Sequence, residues 1–131
     1  MLKKVVNYIG FDEVERSETL YFNLTEPEVV RLDVQFPGGL EEYINNLDEK
    51  VNPENILSLF EKVIRASYGE KGEDGRHFIK NKKSADLFYQ SAAYAALFVE
   101  LVQDADKAAV FFNGLLSKTT VEPANDRTID R

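Results

Sequence analysis

Residues 85–103 read ADLFYQSAAYAALFVELVQ, and this stretch decides the fold class. Its apolar side chains occur around most of a helical circumference, so they do not form the single stripe of a surface helix. They are Leu87, Phe88, Tyr89, Ala92, Tyr94, Leu97, Phe98, Val99, Leu101 and Val102. The sequence therefore predicts one helix, with Ser84 as its N-cap, that is buried on several sides.

Two interpretations of this apolar excess are compatible with each other. The helix can be the central element of a small bundle, or part of it can face another subunit or an apolar client. A small domain has limited capacity to enclose a helix, and exposed apolar patches mark association surfaces. The candidate partner-binding residues, which include two from the following segment, are Phe88, Tyr89, Tyr94, Phe98, Phe111 and Phe112.

The N-terminal region has the pattern of a β-hairpin. Residues 2–9 combine β-branched and aromatic side chains, and residues 15–24 become apolar on one alternating face. Gly10 and Asp12 supply the residues of a connection between the two strands. Two strands alone are marginally stable, so the hairpin must pack on helices or pair with a further strand.

Helix boundaries follow the hairpin. Thr25 and Glu28 have the spacing of a capping box, which predicts a helix over residues 26–36 that ends at the Pro-Gly-Gly of residues 37–39. A short second helix is expected over residues 40–47.

The third helix starts with Asn52 as its cap and Pro53 in its first turn, and Gly69 is expected to end it in a left-handed conformation. Asp104 then opens a last helix that closes near Gly114. The sequence thus predicts an α+β fold, an N-terminal hairpin followed by about five helices. Residues 1–116 form a single domain, and residues 117–131 form a flexible polar tail.

Composition excludes several kinds of site. The chain has 131 residues, a net charge of −7 and no cysteine, so disulfides, cysteine zinc sites and thiol nucleophiles are absent. An acidic surface repels phosphate backbones and anionic membranes, which argues against nucleic acid and membrane as partners. No signal-peptide core or confident transmembrane segment is present, so we expect a soluble intracellular protein.

The glycine-rich segment RASYGEKGEDGRHFIKN, residues 65–81, lacks the residues of a nucleotide or calcium loop. Gly69, Gly72 and Gly75 are spaced by three, and no Gly-Lys-Ser/Thr follows them. We interpret the segment as a joint between helices, with residues 75–81 adding a short extended piece. His77, the only histidine, has neither cysteine partners nor a nucleophile elbow, and is expected to be a surface residue.

Neighbouring acids such as Asp104 and Asp106 suggest a Mg²⁺ or glycosidase site at first sight. Twenty-three acidic residues in 131 produce such neighbours by chance, and first-turn acids complement a helix dipole. No sequence feature supports an enzyme, so no catalytic residue, metal or cofactor is expected.

The collinear order of several segments resembles the tail assembly chaperones of long-tailed phages and prophages of Gram-positive bacteria. These segments are YFNLTEPEV, PGGLEEYI, RASYGEKGEDGRHFIKN and AYAALFVELVQDADKAAVFFNGLL, within residues 2–116. The resemblance implies a non-enzymatic assembly factor in the host bacterial cytoplasm that is absent from the mature virion. It leaves Gly69, Gly75, Arg76 and Phe78 as signature positions without an assigned role.

The same resemblance implies partners. The main one is the long, apolar, helical tape measure protein, which such a factor keeps soluble while the tail tube polymerises. Self-association is implied as well, together with a frameshifted longer form and contact with the tail tube protein. The alternative is a virion structural or adaptor protein, of the tail-completion or connector type.

Overall fold

The computed structural model describes residues 1–36, 38–45 and 53–116. Four strands form one antiparallel sheet in the order β1-β2-β3-β4: β1 Leu2–Ile9, β2 Glu15–Phe22, β3 Tyr68–Lys71 and β4 Phe78–Ile79. Six helices are α1 Glu26–Asp33, α2 Leu40–Asn45, α3 Pro53–Ser67, α4 Lys82–Tyr89, α5 Ala92–Gln103 and α6 Ala105–Leu116. The predicted α+β class, a hairpin followed by a mostly helical chain, is confirmed. The predicted caps at residues 51–52 and the tail at 117–131 lie outside the described residues.

The β1–β2 hairpin joins the sheet to the helices through one face. Its register pairs Leu2 with Phe22 and Ile9 with Glu15, so even-numbered residues share a face. Val6, Leu20 and Phe22 are buried on that face. Strand β2 ends at Phe22 rather than at residue 24. The Asn23 N–H donates to the carbonyl of Ser67 at 2.8 Å, one step beyond the Phe22–Tyr68 pair, and Ser67 already belongs to α3.

The glycine-rich segment is a hairpin and not the joint that the sequence predicts. Residues 68–71 pair with β2 on one side and with β4 on the other. Gly69 sits inside β3, where a Cβ atom would lie 2.5 Å from the Phe78 ring, so only glycine fits. Gly75, with φ of +71°, makes the turn. The short extended piece predicted within residues 75–81 is confirmed as β4.

The end of α3 shows why Gly69 does not act as a left-handed C-terminal residue. The Ser67 hydroxyl donates to the carbonyl oxygens of Val63 and Ile64, at 2.8 and 3.2 Å. The Lys80 ammonium donates to the Ala66 carbonyl at 3.1 Å. These side chains satisfy last-turn carbonyls that a glycine cap would otherwise serve, so the chain passes directly into β3.

The helix predicted over residues 85–103 is two helices. Asn81, not Ser84, is the first cap, and its Oδ1 accepts from the Ser84 N–H at 2.8 Å. Ser91 interrupts the segment, because its hydroxyl donates to the Phe88 carbonyl at 2.7 Å and accepts from the Tyr94 N–H at 3.1 Å. It therefore caps the end of α4 and the start of α5 together.

Lys80 links three parts of the fold. Besides Ala66, its ammonium contacts the Asn23 carbonyl at 2.9 Å and Glu28 Oε1 at 2.7 Å. Glu28 Oε1 also accepts from the Thr25 N–H at 2.8 Å, as the capping-box prediction requires. The start of α1, the end of α3 and the residue after β4 are thus tied to one cation.

We expect Lys80→Met to lower the free energy of unfolding by about 1–3 kcal/mol, because it leaves partly buried acceptors without their donor. Urea denaturation followed by circular dichroism measures this change. The control is Lys83→Met on the exposed side of α4, where a change within about 0.5 kcal/mol is expected. Equal effects of the two substitutions would contradict the linking role of Lys80.

The same ion pair predicts a pH dependence. Burial acts to raise the pKa of Glu28, but hydrogen bonds from Lys80 and Thr25 outweigh it and hold this pKa below its ordinary value of 4.5. The stabilisation is therefore present above the unfolded-state pKa and is lost as the pH falls through the lowered folded-state pKa. Glu28→Gln should lower the melting temperature at pH 7, and its difference from the parent should shrink on acidification. A difference that stays constant between neutral and acid pH would disprove this linkage.

Candidate partner-binding surface

His77 and Asp104, which were considered as candidate site residues, make local hydrogen bonds in the structure. Among the described residues, no group of three histidine, cysteine, aspartate or glutamate side chains could hold a metal ion. His77 lies at the tip of the β3–β4 hairpin with Nδ1 2.6 Å from Asp74 Oδ2. The pKa of Asp74 lies below its usual range. The hydrogen bond from the Arg76 backbone N–H has the largest effect, and the hydrogen bond with the His77 ring has the next largest. Asp104 accepts from the N–H groups of Asp106 and Lys107 at the start of α6.

The six predicted partner-binding residues divide by exposure. Four are buried in the core, with exposed fractions from 0 to 7%. They are Phe88, Tyr94, Phe111 and Phe112. Phe98 is half-buried, and Tyr89 is 40% exposed. Only these last two present surface to a partner in the folded chain, so a contact by the other four stays a prediction that requires the core to open.

The buried aromatic residues form a continuous chain of ring contacts. One branch runs from Phe22 through Phe111 and Phe112 to Phe60, with centroid distances of 4.9–5.2 Å. The other runs from Phe88 to Tyr94 at 5.4 Å. From Tyr94 the contacts continue outward to Tyr89 at 5.0 Å and to Phe98 at 5.6 Å. The aromatic core thus reaches the surface next to α5.

An apolar surface lies on the far side of α5 from the core. Leu97 and Leu101 point inward with exposed fractions of 0 and 1%. Ala95, Val99 and Val102 project from the opposite side of the helix at i, i+4, i+7 spacing, and all three are exposed. We call these three residues the α5 outer face. Val99 and Val102 are 49% and 43% exposed.

The chemistry of the α5 outer face suits another helix. Its side chains are small and unbranched or β-branched, so a partner backbone can approach closely, and none carries a polar atom. The i, i+4, i+7 pattern matches one apolar stripe of a packed helix pair. Within residues 92–103 the sole charged side chain is Glu100, and it is engaged with Lys4 at 2.7 Å on the β1 side of the helix.

Tyr89, the last residue of α4, is a further exposed side chain, and its ring contacts Tyr94 of α5. Its ring lies under the Arg65 guanidinium, 4.7 Å from the centroid, and Arg65 also pairs with Asp86 at 2.5 Å. The hydrogen bond and negative charge of Glu61 raise the pKa of the Tyr89 hydroxyl. A planar ring held by a cation and a carboxylate is a rigid border for an apolar surface.

The sequence reasoning missed the α5 outer face because it favoured large aromatic residues. The signal was the alanine and valine spacing of residues 95, 99 and 102 in a helix with no polar side. A second apolar groove, of about 700 Å³, lies between α1 and the end of α6 and includes Val30, Val34 and Leu116. No helix in the described ranges has both the length and the apolarity to cross a membrane.

The Tyr94 hydroxyl is a buried polar group at the inner border of this surface. It has no hydrogen-bond partner among the described residues, and burial raises the pKa of Tyr94. A buried hydroxyl without a partner costs free energy because its bonds to water are not replaced.

We expect Tyr94→Phe to raise the free energy of unfolding by about 1 kcal/mol, since it removes this hydroxyl and keeps the ring. Chemical denaturation measures the change. Tyr89→Phe is the matched control: its hydroxyl is exposed and bonded to Glu61, so it should not stabilise the chain. A loss of stability in Tyr94→Phe would show that the hydroxyl is satisfied in the protein.

Comparison with known proteins identifies the family. The model of a family described as phage tail assembly chaperone matches residues 1–128. Neither the curated proteins nor the solved structures include a match to the chain. The family match spans both the hairpin sheet and the helices that carry the α5 outer face. The chain therefore belongs to the phage tail assembly chaperone family.

Proposed function

We propose that this chaperone acts without catalysis by binding the apolar, helical tape measure protein and keeping it soluble during tail tube assembly. The observation that supports this client is the α5 outer face, an exposed stripe of small apolar side chains at helical spacing. A helix of the client would lay its own apolar stripe on Ala95, Val99 and Val102. The family membership supports the assembly role.

The dimensions of the α5 outer face limit what one copy can bind. The stripe from Ala95 to Val102 covers about 10 Å along the helix at about 1.5 Å per residue. A surface of this size binds weakly by itself, so a long client requires many copies. Self-association of the chain is therefore part of the proposal. A frameshifted longer form and the tail tube protein are further proposed partners.

Charge supports a soluble carrier. The net charge of −7 keeps complexes apart in solution while apolar surface is covered by the client. We place the protein in the host bacterial cytoplasm and outside the mature virion. Mass spectrometry of purified virions separates this role from that of a permanent structural or adaptor protein, because only the latter remains in the particle.

The test is co-expression with the tape measure protein of the same tail. The parent chain should increase the soluble fraction of that protein and co-elute with it on a sizing column. The double substitution Val99→Asp, Val102→Asp should abolish both effects, because it places two carboxylates on the α5 outer face. Both valines are partly exposed, so the variant should keep the parent circular dichroism spectrum.

The matched control is Val34→Asp, which adds a carboxylate at a 79% exposed valine that caps the C-terminal end of α1. It should leave client solubility unchanged. If Val34→Asp abolishes solubility while the α5 variant does not, the client binds near α1 and our assignment of the surface is wrong. If the parent chain fails to solubilise the client, the proposed function itself is wrong for this form of the chain.

A further inference from the structure

The far end of the β1–β2 hairpin is unsupported by the rest of the described chain. From residue 15 to residue 19 every side chain is exposed on both faces of β2. The tip adds exposed apolar groups. Ile9, at the end of β1, is 64% exposed, and Phe11 and Val14 in the connection are 82% and 50% exposed. We call residues 9–18 the distal ribbon. A two-stranded ribbon with an apolar tip and no packing partner is a costly element for a folded monomer to display.

The tip of the distal ribbon is held in one conformation. The Glu13 N–H donates to the Gly10 carbonyl at 2.8 Å, and the Gly10 N–H donates to the Val14 carbonyl at 2.9 Å. Asp12 accepts from the Val14 N–H at 3.2 Å and pairs with Arg16 across the turn. Phe11 is therefore presented on an ordered loop, which lowers the entropy cost of binding.

The opposite end of the same strand lies beside a groove of about 470 Å³. This groove is lined by Leu2, Lys3, Lys4, Glu100, Asp106, Lys107, Val110 and Phe111. Its apolar rim is Val110, which is 74% exposed on α6. Gly114 leaves room for Leu2, whose Cδ1 would be 3.3 Å from a Cβ at that position. The groove is thus an apolar floor with a charged border.

Charges at the two ends are complementary. The tip carries Asp12, Glu13 and Glu15, of which Arg16 neutralises Asp12. At the groove, Lys4 pairs with Glu100 at 2.7 Å, and Lys107 approaches the same carboxylate at only 3.9 Å. Asp106 lines the groove as well, so its three lysines and two acidic residues leave one net positive charge in a chain whose net charge is −7. An acidic apolar tip fits a groove with basic and apolar residues.

The tip cannot reach the groove of its own chain. Eight residues of extended strand separate Lys3 from Phe11, or roughly 25 Å at about 3.3 Å per residue. We propose that the distal ribbon of one copy docks its Phe11 tip into the β1–α6 groove of a second copy. This contact is head-to-tail, so a docked pair still offers one free tip and one free groove. The contact specifies how the self-association in the proposed function occurs, and in this point the inference rests on the proposed function.

The experiment uses the chain alone, without client, in sedimentation velocity over a range of concentrations. The parent should form oligomers larger than dimers. Phe11→Asp should remove the tip and Val110→Asp should remove the groove, so that each variant alone is monomeric. Both residues are among the most exposed side chains, so neither change should disturb the fold.

Mixing the two variants gives a specific signature. Phe11→Asp keeps an intact groove and Val110→Asp keeps an intact tip, so an equimolar mixture should form heterodimers and nothing larger. Val34→Asp, which adds the same charge at a 79% exposed valine, should oligomerise like the parent. A parent that stays monomeric, variants that still oligomerise, or a mixture that stays monomeric would each overturn the proposal.

Cross-linking provides a second measurement, because a disulfide traps covalently a contact that forms only transiently. The chain has no cysteine, so Phe11→Cys and Val110→Cys together introduce the only two thiols. Oxidation should link copies into a ladder of covalent oligomers. The pair Phe11→Cys, Val34→Cys is the control and should not form that ladder. Because no client is present, failure here leaves the client assay unaffected, and failure of the client assay leaves this contact unaffected.

Discussion

The packing of Phe22 is the interaction on which the rest of the fold depends. This residue is fully buried at the end of β2, and its ring contacts three others edge-on: Tyr68 at 6.0 Å, Phe88 at 6.1 Å and Phe111 at 5.2 Å. One side chain of β2 thus contacts β3, α4 and α6. Edge-to-face contacts of this kind add to the free energy of burial. A smaller residue at this position would leave a cavity shared by four elements.

The partner surface follows from how this core uses the aromatic residues. Because Phe88, Phe111 and Phe112 pack in the core against Phe22 and Phe60, the apolar groups exposed on the outer side of α5 are aliphatic. Helix α5 contributes leucines to the core and alanine and valine to the outside. The α5 outer face is therefore aliphatic and chemically uniform. Such a surface does not demand one particular side chain of a helix that packs against it.

Local signals in the sequence predicted much of the fold. The β-branched and aromatic composition of residues 2–9 and the capping box at Thr25 and Glu28 are short-range patterns, and the structure has the strand and the helix start that they predicted. The break at Ser91 and the hairpin of residues 68–79 were missed for a different reason. Ser91 ends one helix and starts another within a continuous apolar run, and Gly69 is required by the approach of Phe78 rather than by its own conformation.

The assignment of a partner-binding surface to residues 85–103 stays a prediction. This segment does expose apolar side chains, but the sequence pattern alone does not say which side of a helix faces the core. Tyr89 and Phe98 retain exposed surface, whereas Phe88 and Tyr94 do not. The rings of Phe22 and Tyr68 pack against Phe88, and those of Phe88 and Phe98 pack against Tyr94. Whether an aromatic side chain lies in the core or at the surface depends on tertiary packing, which a local sequence pattern does not determine.

The two ends of the β1–β2 hairpin differ in local stability. Near Lys4 and Val6 its backbone hydrogen bonds are covered by the core, so their amide protons exchange with solvent only when the whole domain opens. In the distal ribbon both faces meet water, and the same ladder can open by fraying of its end alone. Amide exchange should therefore quicken along one continuous strand, from Val6 toward Ile9. A single pair of strands thus combines one end that opens only with the whole domain and another end that can open by itself.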